Sequence, residues 1–176
     1  MPPTSTHDYS SNTVCVMDTS SHLGSSLVHH LLYRGYTVHD AIHTHGQLPS
    51  QKLSSNNNKL KVFKADPFDY QSIMDALRGC SGLFYSFEPP PDCSTYDELM
   101  AEVEVRAAHN VLEACAQTDS IDKVVFTSSL TAVIWNDHPN TLSSDLDERN
   151  WSDINFCKKY KAVLFSYFYF NYYKLI

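Results

Sequence analysis

Apolar residues recur along this chain with two rhythms. Short β-branched or continuous apolar runs stand at 13–16 (TVCV), 36–42 (YTVHDAI), 60–65 (LKVFKA), 82–87 (GLFYSF) and 122–128 (DKVVFTS), and each reads as a strand. Between them the spacing is helical. Over 22–34, Leu23, Leu27 and Leu31 share one face with Val28 and Leu32 beside them, and Gly35 follows as a terminator. Asp69 stands where it can cap a short helix that turns Ile73, Met74 and Leu77 inward and closes at Gly79. Ser94, with Asp97 three residues on, opens the longest helix. Its apolar stripe is Leu99, Val103, Ala107, Val111 and Ala114, with Glu102, Glu104 and Glu113 toward solvent. A further helix is expected from residue 154. The polar stretch 43–58 and the prolines at 89–91 read as loops. Strands alternating with helices predict an α/β, Rossmann-like doubly wound parallel sheet covered on both faces.

The first strand and helix are joined by the segment with the most chemistry. In TVCVMDTSSHLGSSL, small polar residues lead from a β-branched run through Gly24 into an amphipathic helix. A dinucleotide-binding turn has this outline: glycines let the backbone bend sharply and approach a pyrophosphate at the positive end of a helix. Laid over a GxxGxxG turn, Asp18 and Ser21 take the first two glycine places and Gly24 keeps the third. The candidate cofactor contacts here are Asp18, Thr19, Ser20, Ser21, His22, Leu23 and Gly24. Asp18 sets a carboxylate where two phosphates would sit, and Ser21 adds a side chain where the backbone should approach, so weak binding is expected.

Composition narrows the class. The chain has 176 residues, 43% hydrophobic and 19% charged, enough for one globular domain. Its net charge of -7 includes no basic cluster, which removes the electrostatic footprint of a nucleic-acid binder. Five cysteines show no CxxC and no paired spacing, and Cys15 and Cys115 lie in apolar patterns, which fits a reduced, cytoplasmic chain. No apolar stretch reaches the roughly 18 residues that a membrane span needs. His39, His43 and His45 could be imagined around a metal, but no Cys or acidic ligand stands at a supporting spacing, and no metal is expected.

Several stretches together resemble the plant cinnamoyl-CoA reductase and dihydroflavonol reductase group of extended short-chain dehydrogenases. They are RGYTVH (34–39), FKADPFDY (63–70), GCSGLFYSFEPP (79–90), HNVLEACAQT (109–118), KVVFTSSLTAV (123–133) and DERNWSDINFC (147–157). The resemblance covers about 13–161 and is nearest the cinnamoyl-CoA reductase-like branch. It implies NADP as cofactor, with NAD as a second candidate, and a small phenylpropanoid-like substrate. By position it implies that Asp66, with Pro67, meets the adenine and that His43 stands where an arginine would meet the 2′-phosphate. Ser86 and Phe87 would line the nicotinamide ribose, and Ser129 would steady the substrate carbonyl. Read from the residues alone, Asp66 equally serves as the start of an Asp-Pro turn, and Ser129 as a hydroxyl bonded to backbone at a strand end.

The resemblance also implies a tyrosine that protonates the carbonyl and a lysine four residues later that lowers its pKa. Counting seven residues from Cys157 gives Leu164, and four further gives Phe168. None of the eleven tyrosines has a lysine four residues downstream. From 163 to 176 the chain reads VLFSYFYFNYYKLI, with seven Phe or Tyr. The expected organisation is therefore a flexible leader at 1–11, a Rossmann-like domain at 12–161 that is truncated at its C-terminal edge, and an aromatic tail at 162–176 arising from read-through. A reductase with little or no turnover, self-associating through an exposed sheet edge, is the first expectation. A non-catalytic nucleotide- or protein-binding module and a non-functional fragment are the alternatives.

Overall fold

The computed structural model describes residues 12–17, 22–42, 58–86, 98–127, 151–153 and 155–156. In chain order the elements are β1 (Thr13–Met17), α1 (His22–Tyr33), β2 (Thr37–Ile42), β3 (Leu60–Lys64), α2 (Tyr70–Leu77), β4 (Gly82–Tyr85), α3 (Glu98–Ala116) and β5 (Lys123–Phe126). The strands form one parallel sheet in the order β3-β2-β1-β4-β5, the doubly wound arrangement expected from the alternation of periods. The described residues group into two compact units. One holds the whole sheet with α1, α2 and residues 110–126; the other holds 98–109, 127 and the short pieces near 151–156. In that second unit Ser152 is buried and the Phe156 N–H donates to Asp153 Oδ1 at 2.8 Å.

Register fixes which side chains share a face. Val14 and Val16 of β1 lie beside Val38 and Asp40 of β2, so these point to one side, while Cys15 and Met17 lie beside His39 and Ala41 and point to the other. On the first side Val14, Val16, Val38 and Leu60 pack with Val28 and Leu31 of α1. On the other, α2 lies on β1, β2 and β3 and buries Ile73, Ala76 and Leu77. Residues 110–118 lie beside α2 and the turn before it. Asn110 Nδ2 donates to the Pro67 carbonyl at 3.0 Å, the Tyr70 hydroxyl to Gln117 Oε1 at 2.6 Å, and the Thr118 hydroxyl to Met74 Sδ at 3.6 Å.

Helix ends follow their local chemistry. After α1, the Tyr36 N–H reaches the Leu31 carbonyl and the Gly35 N–H the Leu32 carbonyl, both at 3.0 Å, with Gly35 at φ +88°. That pair of bonds is a Schellman ending, and its left-handed residue favours glycine. Asp69 caps α2, accepting from the Gln71 N–H at 3.2 Å, as its position implied.

Two details of the expected pattern are corrected. The inward face of α1 is centred on Gly24, Val28 and Leu31, while Leu23 is 49% exposed. Val28 and Leu31 pack on the sheet valines, and that choice of face leaves Leu23 on the outer side. Glu104 is half-buried rather than solvent-facing, unlike Glu102 and Glu113. The proposed caps Ser94 and Asp97 lie outside the described residues, as do most of 154–161 and the aromatic tail.

Candidate functional site

In an open parallel sheet the polar peptide ends of the strands converge at their carboxyl edge. A crevice forms there where the order of strands reverses direction. Here β1 is followed outward by β2 and β3 on one side, and by β4 and β5 on the other, so the reversal falls between β1 and β4. Met17 pairs with Tyr85 at that edge, and the Ser86 N–H donates to the Met17 carbonyl at 3.2 Å. Ser86 therefore sits directly beside the chain as it leaves β1, and it is buried. Tyr85, also buried, packs its ring against Phe126 with centroids 5.0 Å apart, which fixes the ends of β4 and β5 relative to each other.

The amino end of α1 follows β1 after the intervening residues 18–21. Its first turn contains no acidic side chain to offset the positive end of the helix dipole. Gly24 is buried and His22 and Leu23 are exposed at this end. A helix amino end with no acidic side chain in its first turn, following the strand that borders the switch point, suits an anionic group. Asp18, Thr19, Ser20, Ser21, His43, Phe87 and Ser129 lie outside the described residues.

Asp66 ends the strand two places from β1, and the structure shows how it is held. The Ala65 N–H donates to the Ile42 carbonyl at 3.0 Å, extending the pairing of β2 and β3. Past that point Asp66 Oδ1 accepts from the Phe68 N–H at 2.9 Å and its carbonyl accepts from the Asp69 N–H at 2.9 Å. The Asp66 N–H donates to Ser72 Oγ at 3.0 Å. One carboxylate oxygen therefore closes the Asp-Pro turn, so the turn reading is realised. Pro67 is buried, its carbonyl bound by Asn110.

In β2 the sequence pointed to His39 only as a metal candidate and did not single out Asp40. His39 and Asp40 are both buried, on opposite faces of the strand. Consecutive polar residues inside the otherwise apolar TVHDAI run were the available signal, because a strand covered on both faces has no solvent side. The described cysteines Cys15, Cys80 and Cys115 are free thiols. Burial pushes Cys80 up to about 12 and Cys115 up to about 11, and burial also holds Cys15 well above the ordinary thiol value. All three stay protonated at neutral pH and none is an activated nucleophile. Among the described residues no group of three His, Cys, Asp or Glu side chains could hold a metal ion, and no helix is long and apolar enough to cross a membrane.

Comparison with known proteins gives the same picture at the level of sequence and fold. Residues 15–163 match the model of the 3-beta hydroxysteroid dehydrogenase/isomerase family. Cinnamoyl-CoA reductase 1 of Petunia hybrida is 37% identical over 159 residues, covering 86% of this chain and 45% of the petunia protein. The bifunctional dihydroflavonol 4-reductase/flavanone 4-reductase of Pyrus communis is 33% identical over 164 residues, covering 90% of this chain and 46% of the pear protein. Vestitone reductase from alfalfa superposes with a TM-score of 0.69 at 29% identity, covering 88% of this chain and 47% of the alfalfa chain. This chain thus spans about half the length of the relatives it matches. The match over most of its residues, with the same strand order and switch point, makes this chain a member of the 3-beta hydroxysteroid dehydrogenase/isomerase family of extended short-chain dehydrogenases, akin to the cinnamoyl-CoA and dihydroflavonol reductases.

Proposed function

We propose that this chain carries the nucleotide-binding half of an NADP(H)-dependent, cinnamoyl-CoA reductase-like oxidoreductase acting in the cytoplasm on a carbonyl or CoA-thioester substrate. The observation that carries the reading is Ser86 bonded to the carboxyl end of β1 at the reversal of strand order, with a helix after β1 whose first turn holds no acidic side chain. Bound NADPH would supply a hydride. The chain's own part is to hold the phosphates against the amino end of α1, with Gly24 allowing close approach, and to receive the adenine near Asp66 and Pro67. Ser86 and Phe87 would border the nicotinamide ribose, and Ser129 would donate a hydrogen bond to the substrate oxygen. His43, where an arginine would serve the 2′-phosphate, weakens the preference for NADP, so NAD is a second candidate.

A second reading has its own observation. No tyrosine in the chain has a lysine four residues on, so the proton donor and the charge that tunes it are both missing. The same fold then serves as a nucleotide- or protein-binding module with little or no turnover. A thermal melt of the purified chain with and without millimolar NADPH separates these. An upward shift by mass action supports a working cofactor site. A cooperative melt with no shift leaves the partner-binding module, and the absence of a cooperative melt removes both readings in favour of a fragment.

A further inference from the structure

His39 is a buried titratable side chain that lies away from the switch point. It sits in the middle of β2, 4% exposed, between Cys15 of β1 and Lys61 of β3 in the sheet register. Its Nδ1 lies 2.8 Å from the Ala76 carbonyl in the last turn of α2. A carbonyl only accepts, so the ring proton of the neutral form is on Nδ1 and is donated to α2. Cys80 closes the same cluster: its Sγ is 3.3 Å from Nδ1 and donates to the Ala76 carbonyl at 3.6 Å. The Phe63 ring covers the imidazole at a centroid distance of 4.6 Å. On the far side of the ring Nε2 is buried with no hydrogen-bond partner.

We propose that His39 is an acid-released latch between β2 and α2, closed when the imidazole is neutral and opened when Nε2 takes up a proton from solvent. In the neutral ring Nε2 is a bare lone pair, which an apolar pocket tolerates at modest cost. Protonation turns it into an N–H donor carrying charge with nothing to bond, and the pocket must open to hydrate it. Cys15, Cys80 and Cys115 face this cluster from β1, from the residues after α2 and from α3. As thiols held protonated, they offer no counter-charge. The Lys61 ammonium on β3 adds repulsion, and burial is the larger cause that holds the imidazole below its ordinary value despite the Ala76 bond. Asp75 and Arg78, at the exposed end of α2, pair with each other at 2.8 Å. Opening α2 also releases the turn after β3, because Ser72 Oγ of α2 accepts the Asp66 N–H.

The sign of the effect follows from linkage. With the folded value depressed, the latch is fully closed above the unfolded value of about 6.5, and its contribution is lost as pH falls through the folded value. The test is amide exchange of residues 70–80, corrected for intrinsic rate, from about pH 7.5 to about pH 5.5, in the native chain and in His39→Asn. Asparagine places an amide N–H near the position of Nδ1 and does not titrate. The native chain should lose protection in α2 by up to about tenfold per pH unit as pH falls from about 6.5 toward the folded midpoint, the limit for one proton, while His39→Asn stays flat. A flat native profile, or the same loss in His39→Asn, overturns the proposal. Should the variant fail to fold, the ring titration of His39 in the native chain decides. A midpoint coincident with the loss of α2 protection supports the latch, and titration without that loss overturns it.

Discussion

Asp69 and Gly82 show how much can rest on a single position. The carboxylate of Asp69 takes the Gln71 N–H, one of the four donors that the first turn of α2 leaves unpaired. Asp69→Ala is expected to cost about 1 kcal/mol, read as a lower denaturant midpoint at an unchanged slope. Gly82 opens β4 between β1 and β5. A Cβ there would come within 3.3 Å of the Lys123 carbonyl oxygen and 3.8 Å of Val14 Cγ1. The nearer contact is backbone and belongs to the neighbouring strand, so it yields poorly. Gly82→Val is expected to cost about 1–3 kcal/mol by forcing β4 and β5 apart, and the same denaturation curve measures it. Ser86 lies just beyond the far end of this four-residue strand, so a shift at Gly82 is also expected to lower the gain in melting temperature on adding NADPH.

At the scale of elements, α2 is short and depends on what surrounds it. Eight residues make a marginal helix in isolation. It is held by the Asp69 cap, by Ser72 Oγ donating to the Asp69 carbonyl at 2.8 Å, by burial of Ile73, Ala76 and Leu77, and by His39 at its last turn. The strands and helices themselves were legible because each carries its own period: β-branched runs for the strands, i and i+4 leucines for α1, and the alanine and valine stripe for α3. Which leucine of α1 turns inward was not legible. Leu23, Leu27 and Leu31 fall within one broad face of the helical wheel, and only the surface of the sheet selects Val28 and Leu31 and leaves Leu23 outside. The polar pair His39 and Asp40 was visible as an interruption, but its meaning needed the partners that α2 brings from 37 residues away.

For the molecule as a whole, the two outer strands of the described sheet differ. β3 carries Val62, 36% exposed, flanked by exposed Lys61 and Lys64, and that charge on an outer strand resists pairing with another chain. β5 carries Lys123 at one end and Val125, 44% exposed, near the other. Self-association through β5 is therefore the expected mode. Val125→Lys should shift the chain toward monomer in sedimentation velocity without lowering its melting temperature; unchanged association would place the contact elsewhere. The family relationship was carried by stretches spread along the chain, from RGYTVH through WSDINFC, and comparison with known proteins bears it out at this coarse level. The roles of individual residues in that family pattern, Ser129 and His43 above all, lie outside the described residues.

The sequence by itself determined the class of fold, the number of strands that alternate with helices, the helix endings at Gly35 and Asp69, and the family. All of these depend on near neighbours: periodicity, capping and turn chemistry act over a few residues and leave their mark in the order of residue types. Only the tertiary structure decided that the strands run in the order β3-β2-β1-β4-β5, that Ser86 meets the end of β1 and that Asp66 spends one oxygen on its own turn. It alone put a buried imidazole against the last turn of α2. Those outcomes depend on residues far apart in the chain competing for the same donors, acceptors and volume, and a competition of that kind is settled only when the chain has packed.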